Sequence, residues 1–182
     1  MRPEFHSAQI LLGEILEERG KYPEAIKEFE QIPEESIFFR MAQLRLSQTL
    51  RQDGKPRAAI LVLEKLKQRQ PKNAENFIRL GDIYRSQKDW VEAIYAYNTA
   101  INLINRDSKS DWILYYSRGV ALEQSGQWDM AEADFIKALE LAPNQPFIMN
   151  YLGYAWTEQG INLNKAEQLI RKAISLRPKD GY

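Results

Sequence analysis

The chain has no cysteine and a single histidine, His6, among its 182 residues. Those two counts exclude disulfide frameworks, thiolate zinc sites and thiol nucleophiles, and argue against catalytic triads built on histidine. A lone histidine is a poor metal site, and His6 is expected near a frayed terminus. Net charge is missing too: 25 basic and 25 acidic residues cancel. No global field therefore draws the protein to nucleic acid or to an anionic membrane. There is no apolar run of roughly 18 residues and no signal-peptide core, which predicts a soluble chain without direct membrane insertion.

Enzymatic chemistry would have to come from carboxylates or from Ser and Lys, and the places where these gather are weak. Glu17-Glu18 and Glu34-Glu35 read as solvated faces rather than acid/base pairs. The GKP at 54–56 lacks both the upstream glycine spacing and the Ser or Thr that a phosphate-binding loop places after its lysine. The sequence therefore predicts no catalytic residue, no metal and no cofactor.

What is present is a period. Ala25, Ala59, Ala93, Ala131 and Ala166 recur in like settings at intervals of 34, 34, 38 and 35 residues. Twelve residues before the first four stand Gly13, Ser47, Gly81 and Gly119, and Gly153 lies thirteen before the fifth. Between the two small residues a turn recurs, at Gly20, Gly54, Gly126 and Gly160, with Lys88 in the third unit. Proline closes three units at Pro71, Pro143 and Pro178. Within each half the apolar spacing is helical: Leu80, Ile83 and Tyr84, then after the turn Val91, Ile94, Tyr97 and Ile101. Each unit is thus expected to be a helical hairpin whose small residues let the two backbones approach closely.

This pattern resembles the tetratricopeptide repeat family, whose unit reads W-x2-L-G-x2-Y, then A-x3-F, then P. The likeness is specific in the last three units: Leu80, Gly81, Tyr84, Ala93, Tyr97 and Ala100; Gly119, Ala131, Phe135, Ala138 and Pro143; Leu152, Gly153, Trp156, Ala166, Ala173 and Pro178. It implies an all-α, right-handed superhelical solenoid of five hairpins in a single array over 1–182, with repeats at 6–36, 37–73, 74–110, 111–145 and 146–180. Ser47 replaces the glycine of unit two, and Ile32 and Leu66 stand where later units have alanine, so the first two hairpins should pack less regularly. Pro33 should stop the second helix of unit one early. The PEES segment that it begins should bend the stack or lengthen the next helix backward.

The resemblance further implies a concave groove lined by the first helix of every hairpin, binding a protein or peptide partner without catalysis. Groove positions one and four residues after the small residue read Glu14, Gln48, Asp82, Val120, Tyr154 and Glu17, Arg51, Arg85, Glu123, Thr157. The row three residues before it reads Ile10, Leu44, Ile78, Tyr116, Asn150. Candidate contact residues are therefore Gln48, Arg51, Asp82, Arg85, Tyr116, Asn150 and Tyr154. Arg51 and Arg85 either fork a partner's carboxylates or pair with Glu17 and Glu123 between neighbouring repeats. Phe147 and Tyr151 join the aromatic candidates, Tyr151 mainly as packing. The lysine and asparagine places of the family's carboxylate clamp hold Ile10, Glu14 and Gln48, which argues against a co-chaperone role.

The last helix is expected from about Asn164 to Leu176, followed only by PKDGY. Its apolar stripes would be left uncapped, which points to a segment cut from a longer array or to end-to-end self-association. The stretch resembles long bacterial repeat proteins of alphaproteobacterial type. In that group a parent with a signal sequence would be periplasmic, and one without it cytoplasmic. Two further readings stay open: a structural spacer or self-assembly segment of a larger envelope protein, and an accessory domain of an enzyme.

Overall fold

The computed structural model describes residues 3–104 and 108–177. Pro178 and the rest of the PKDGY stretch lie outside them. Among the described residues all regular structure is helical: α1 (Pro3–Glu18), α2 (Tyr22–Glu30), α3 (Phe39–Gln52), α4 (Pro56–Arg69), α5 (Ala74–Ser86), α6 (Trp90–Leu103), α7 (Trp112–Gln124), α8 (Trp128–Leu141), α9 (Pro146–Glu158) and α10 (Leu163–Leu176). A short 3-10 turn, Lys109–Asp111, leads into α7. The chain divides into two compact units, Met1–Asp89 and Trp90–Tyr182. The boundary falls at the end of the turn that joins α5 to α6.

In the first unit α1 packs on α2 and α3 on α4, and α3 and α5 each pack on the second helix of the hairpin before. The second unit repeats the scheme, with α7 on α8, α9 on α10, and α6 and α8 bridging to the following hairpin. Close approach explains the small residues. A Cβ built on Gly13 would meet the Phe29 ring at 2.5 Å, one on Gly119 the Phe135 ring at 2.7 Å, and one on Gly153 the Ile170 side chain at 2.7 Å. The opposing Ala25, Ala59 and Ala131 are fully buried, as is Ala93. Phe29 and Leu63 in the first unit, and Tyr97, Leu122, Phe135 and Leu152 in the second, fill the cores around them. Burial of each such side chain contributes about 1.5–3 kcal/mol.

The recurring turn has one geometry. Gly20, Gly54, Lys88, Gly126 and Gly160 all have φ between 61° and 80°. In every copy the next residue's N–H reaches back to a carbonyl of the last helical turn: Lys21 to Leu16, Lys55 to Leu50, Asp89 to Tyr84, Gln127 to Leu122 and Ile161 to Trp156, at 2.8–3.0 Å. Glycine is favoured there because it alone adopts left-handed φ without steric cost. The extra residue of the last hairpin is accommodated at Asn162, also left-handed at φ 49°. Pro23, Pro56 and Pro146 sit in the first positions of their helices, where a missing N–H costs nothing.

Two expectations are corrected near residues 31–38. As anticipated, α2 is short, ending at Glu30, since Pro33 disfavours helical backbone at the residue before it. The following segment does not lengthen α3 backward, because α3 begins only at Phe39. Instead Ser36 holds the loop: its Oγ accepts from the Phe38 N–H at 3.2 Å and lies 3.0 Å from His6 Nδ1. His6 is therefore not at a frayed end; it is buried within a helix that starts three residues earlier.

Candidate functional site

In the first unit the candidate residues come from α3 and α5. Gln48 and Arg51 lie one turn apart on α3, and Asp82 and Arg85 one turn apart on α5, so each pair shares a helix face. The two faces meet in a cleft of about 210 Å³ lined by Ser47, Gln48, Arg51, Arg79, Asp82 and Ile83. Three of the four candidates thus line one cleft, and Arg85 Nη2 stands 3.9 Å from Asp82 Oδ1 beside it. Arg51 is exposed at its edge. Ser47 is buried and gives its hydroxyl proton to the Leu44 carbonyl at 2.8 Å, so its polar atom is satisfied within the helix.

The ion pairs around this cleft differ from the sequence expectation. It is Arg45 that links α3 to α1, through Glu14 at 2.6 Å, in place of the anticipated pairing of Arg51 with Glu17. Glu75 accepts from Arg40 at 2.8 Å and from Arg79 at 3.0 Å. Burial pushes the Glu75 carboxyl upward, but these two guanidinium groups outweigh it and hold it below the ordinary range. Glu17 goes the other way: burial raises it, opposed by the charge of Arg45. Its Oε1 is buried without a hydrogen-bond partner, and Thr49 directs its hydroxyl proton at the Arg45 carbonyl at 2.9 Å. Ile10 and Leu44, expected in the groove row, are buried core residues.

In the second unit the candidates come from α7 and α9. Tyr116 is half-buried at the centre of a ring cluster, with centroids 5.0 Å from Phe147, 5.5 Å from Tyr151, 5.9 Å from Phe135 and 6.4 Å from Trp112. It is thus part of the packing as well as of the surface. Tyr151 packs as expected and donates its hydroxyl to Glu123 Oε2. Burial, with the Glu123 carboxylate beside it, pushes its ionisation well above the tyrosine range. Tyr154 is 61% exposed, Phe147 53% and Asn150 half-buried.

Ile113, 54% exposed, was not anticipated. Ile113, Tyr116 and Val120 on α7, like Phe147, Asn150 and Tyr154 on α9, follow the same i, i+3, i+7 spacing. Extending the candidate rows one turn toward each helix start would have found Ile113 and placed Phe147. Arg118 belongs elsewhere: it grips the buried Asp134 of α8 through two bonds of 2.6–2.7 Å and reaches Asn98 of α6 at 2.6 Å. Among the described residues no three His, Asp or Glu side chains converge where they could hold a metal ion. What the two faces offer chemically is hydrogen bonding, charge and ring surface.

Comparison with known proteins bears on both units. The family described as "Tetratricopeptide repeat" matches residues 112–145, and the one described as "Tetratricopeptide repeat-like domain" matches residues 6–115, well over half of the chain. TPR repeat-containing protein PA4667 of Pseudomonas aeruginosa is 26% identical over 174 residues, a match that takes in 96% of this chain and 29% of that protein. The chain therefore spans less than a third of the length of that curated relative. Among solved structures, MamA 41-end from Desulfovibrio magneticus RS-1 aligns with a TM-score of 0.78 at 18% identity, covering 97% of each chain. A chain of the APC/C hetero-tetramer Cut9-Hcn1 aligns with a TM-score of 0.75 at 17% identity, covering 98% of this chain and 34% of that one. At such identities the structural likeness speaks for the fold.

Proposed function

Since the chain belongs to the tetratricopeptide repeat family, whose fold is generally a scaffold for protein–protein interaction, we propose that it binds a protein or peptide segment along the first helices of its hairpins and performs no catalysis. The observation that carries this reading is the convergence of Gln48, Arg51 and Asp82 with Arg79 on one cleft. Guanidinium groups beside a carboxamide can fork a partner's carboxylates, while Asp82 supplies the acceptor that fixes the orientation of a backbone or side-chain donor. That a structural neighbour is a subunit of a hetero-tetramer agrees with a binding role.

The test is capture of partners from the native organism by the parent protein, in parallel with an Arg51→Glu, Arg85→Glu variant. A protein retained by the parent and lost from the variant, with helical signal and melting temperature preserved, is expected. Identical captures would remove the assignment.

A second reading, a structural spacer or self-assembly segment, has its own observation: α10 leaves Leu163, Ile174 and Leu176 between 43% and 55% exposed. On that reading a second copy covers this helix end to end. Sedimentation velocity over a range of concentrations should then show association that Ile174→Glu abolishes; a concentration-independent monomer would dismiss it.

A further inference from the structure

The proposed groove is not chemically uniform, and in the second unit its composition selects a ligand. Between them α7 and α9 carry one basic residue, Arg118. That guanidinium is committed to Asp134 and Asn98 and lies over the Tyr115 ring at 5.8 Å. The acids on the same two helices are Glu123 and Glu158. Phe147, Tyr151, Tyr154 and Glu158 recur at i, i+4, i+7 and i+11, one continuous stripe of α9. Two of its rings, Phe147 and Tyr154, are more than half exposed.

Resting on the groove reading, we propose that this α7/α9 face takes a partner segment that carries lysine or arginine beside an apolar residue. An aromatic ring presents a negative face, which attracts a cation set above it. Glu158 at the end of the stripe and Glu123 on α7 add to that attraction, and no uncommitted cation on α7 or α9 opposes it. Glu123 accepts from Tyr151 through Oε2, and a carboxylate retains further acceptor capacity after one such bond. The unit already uses rings in this way, since Lys137 Nζ as well as Arg118 stands 5.8 Å from the Tyr115 centroid. Ile113 and Val120 supply the apolar wall on α7, where the partner's aliphatic residue lies. The contrast with α3 is direct: that helix has Arg40, Arg45 and Arg51 and no acid.

The test uses two acetylated peptides of equal length, one repeating Leu-Pro-Lys and the other Leu-Pro-Glu, titrated into the whole chain with backbone amide NMR shifts as the readout. The lysine peptide should shift α9 resonances from Phe147 to Glu158 and bind there about tenfold more tightly than the glutamate peptide. A Tyr154→Ala, Glu158→Gln variant, altered only at exposed positions, should lose that preference while keeping its spectrum elsewhere. Equal binding of the two peptides at α9, or preference for glutamate, overturns the cationic assignment and leaves the groove reading standing. No shift on α3, α5, α7 or α9 with either peptide overturns both.

Discussion

A methyl group on Gly119 would stand 2.7 Å from Phe135 Cε1, and the ring has nowhere to retreat, since Tyr116 and Tyr151 pack against it at 5.9 and 5.1 Å. Gly119→Ala should therefore destabilise the fold by about 1–3 kcal/mol, the usual cost of overpacking a filled core. Urea denaturation followed by far-ultraviolet circular dichroism measures it; an unchanged midpoint would mean that the helices are not held so close. Glu17 tests the electrostatics at the same scale. Its folded carboxyl titrates above the ordinary value of 4.5, chiefly through burial. The stability it contributes is thus complete below the ordinary glutamate range and lost as pH rises through the raised folded value. Glu17→Gln should stabilise the fold at neutral pH, by no more than about 1 kcal/mol because solvent screens a partly exposed carboxylate. The gain should vanish in acid; a benefit that persists there would point away from the charge.

At the scale of elements, the turns carry the most direct prediction. Lys88 is the one non-glycine among five turns of the same geometry, with φ 61°. A side chain in left-handed backbone costs about 1–2 kcal/mol, partly offset because glycine loses more freedom on folding. Lys88→Gly should accordingly stabilise by about 0.5–1 kcal/mol, read from the same denaturation curves; a destabilisation would mean that the lysine side chain holds the turn.

These turns were legible in the sequence because the backbone there admits few residues, and the Gly/Ala pairs were legible because backbone contact admits few sizes. Arg45 with Glu14 was not. Which of several arginines on α3 meets an acid of α1 depends on rotamers and on the offset between two helices, neither of which a repeat pattern encodes. The rows themselves failed where burial intervened: Ile10 and Leu44 share a register with Asn150 yet are core. His6 was misplaced because nothing in its neighbours announces that Ser36, thirty residues on, will meet it.

Taken whole, the chain has no net charge, yet its first helices differ from one another: α3 carries three arginines and no acid, α9 one acid and no basic residue. Arg51 of α3 and Arg79 of α5 line a polar cleft in one unit, and exposed rings with Glu158 mark the other. A partner reading those helices leaves α4, α8 and α10, the second helices of their hairpins, in solvent. Hydrogen exchange of the chain with and without its captured partner tests this most directly. Slowed exchange is expected in 48–51, 79–85, 113–123 and 147–158, and unchanged exchange in α4, α8 and α10. Protection confined to those second helices would contradict it.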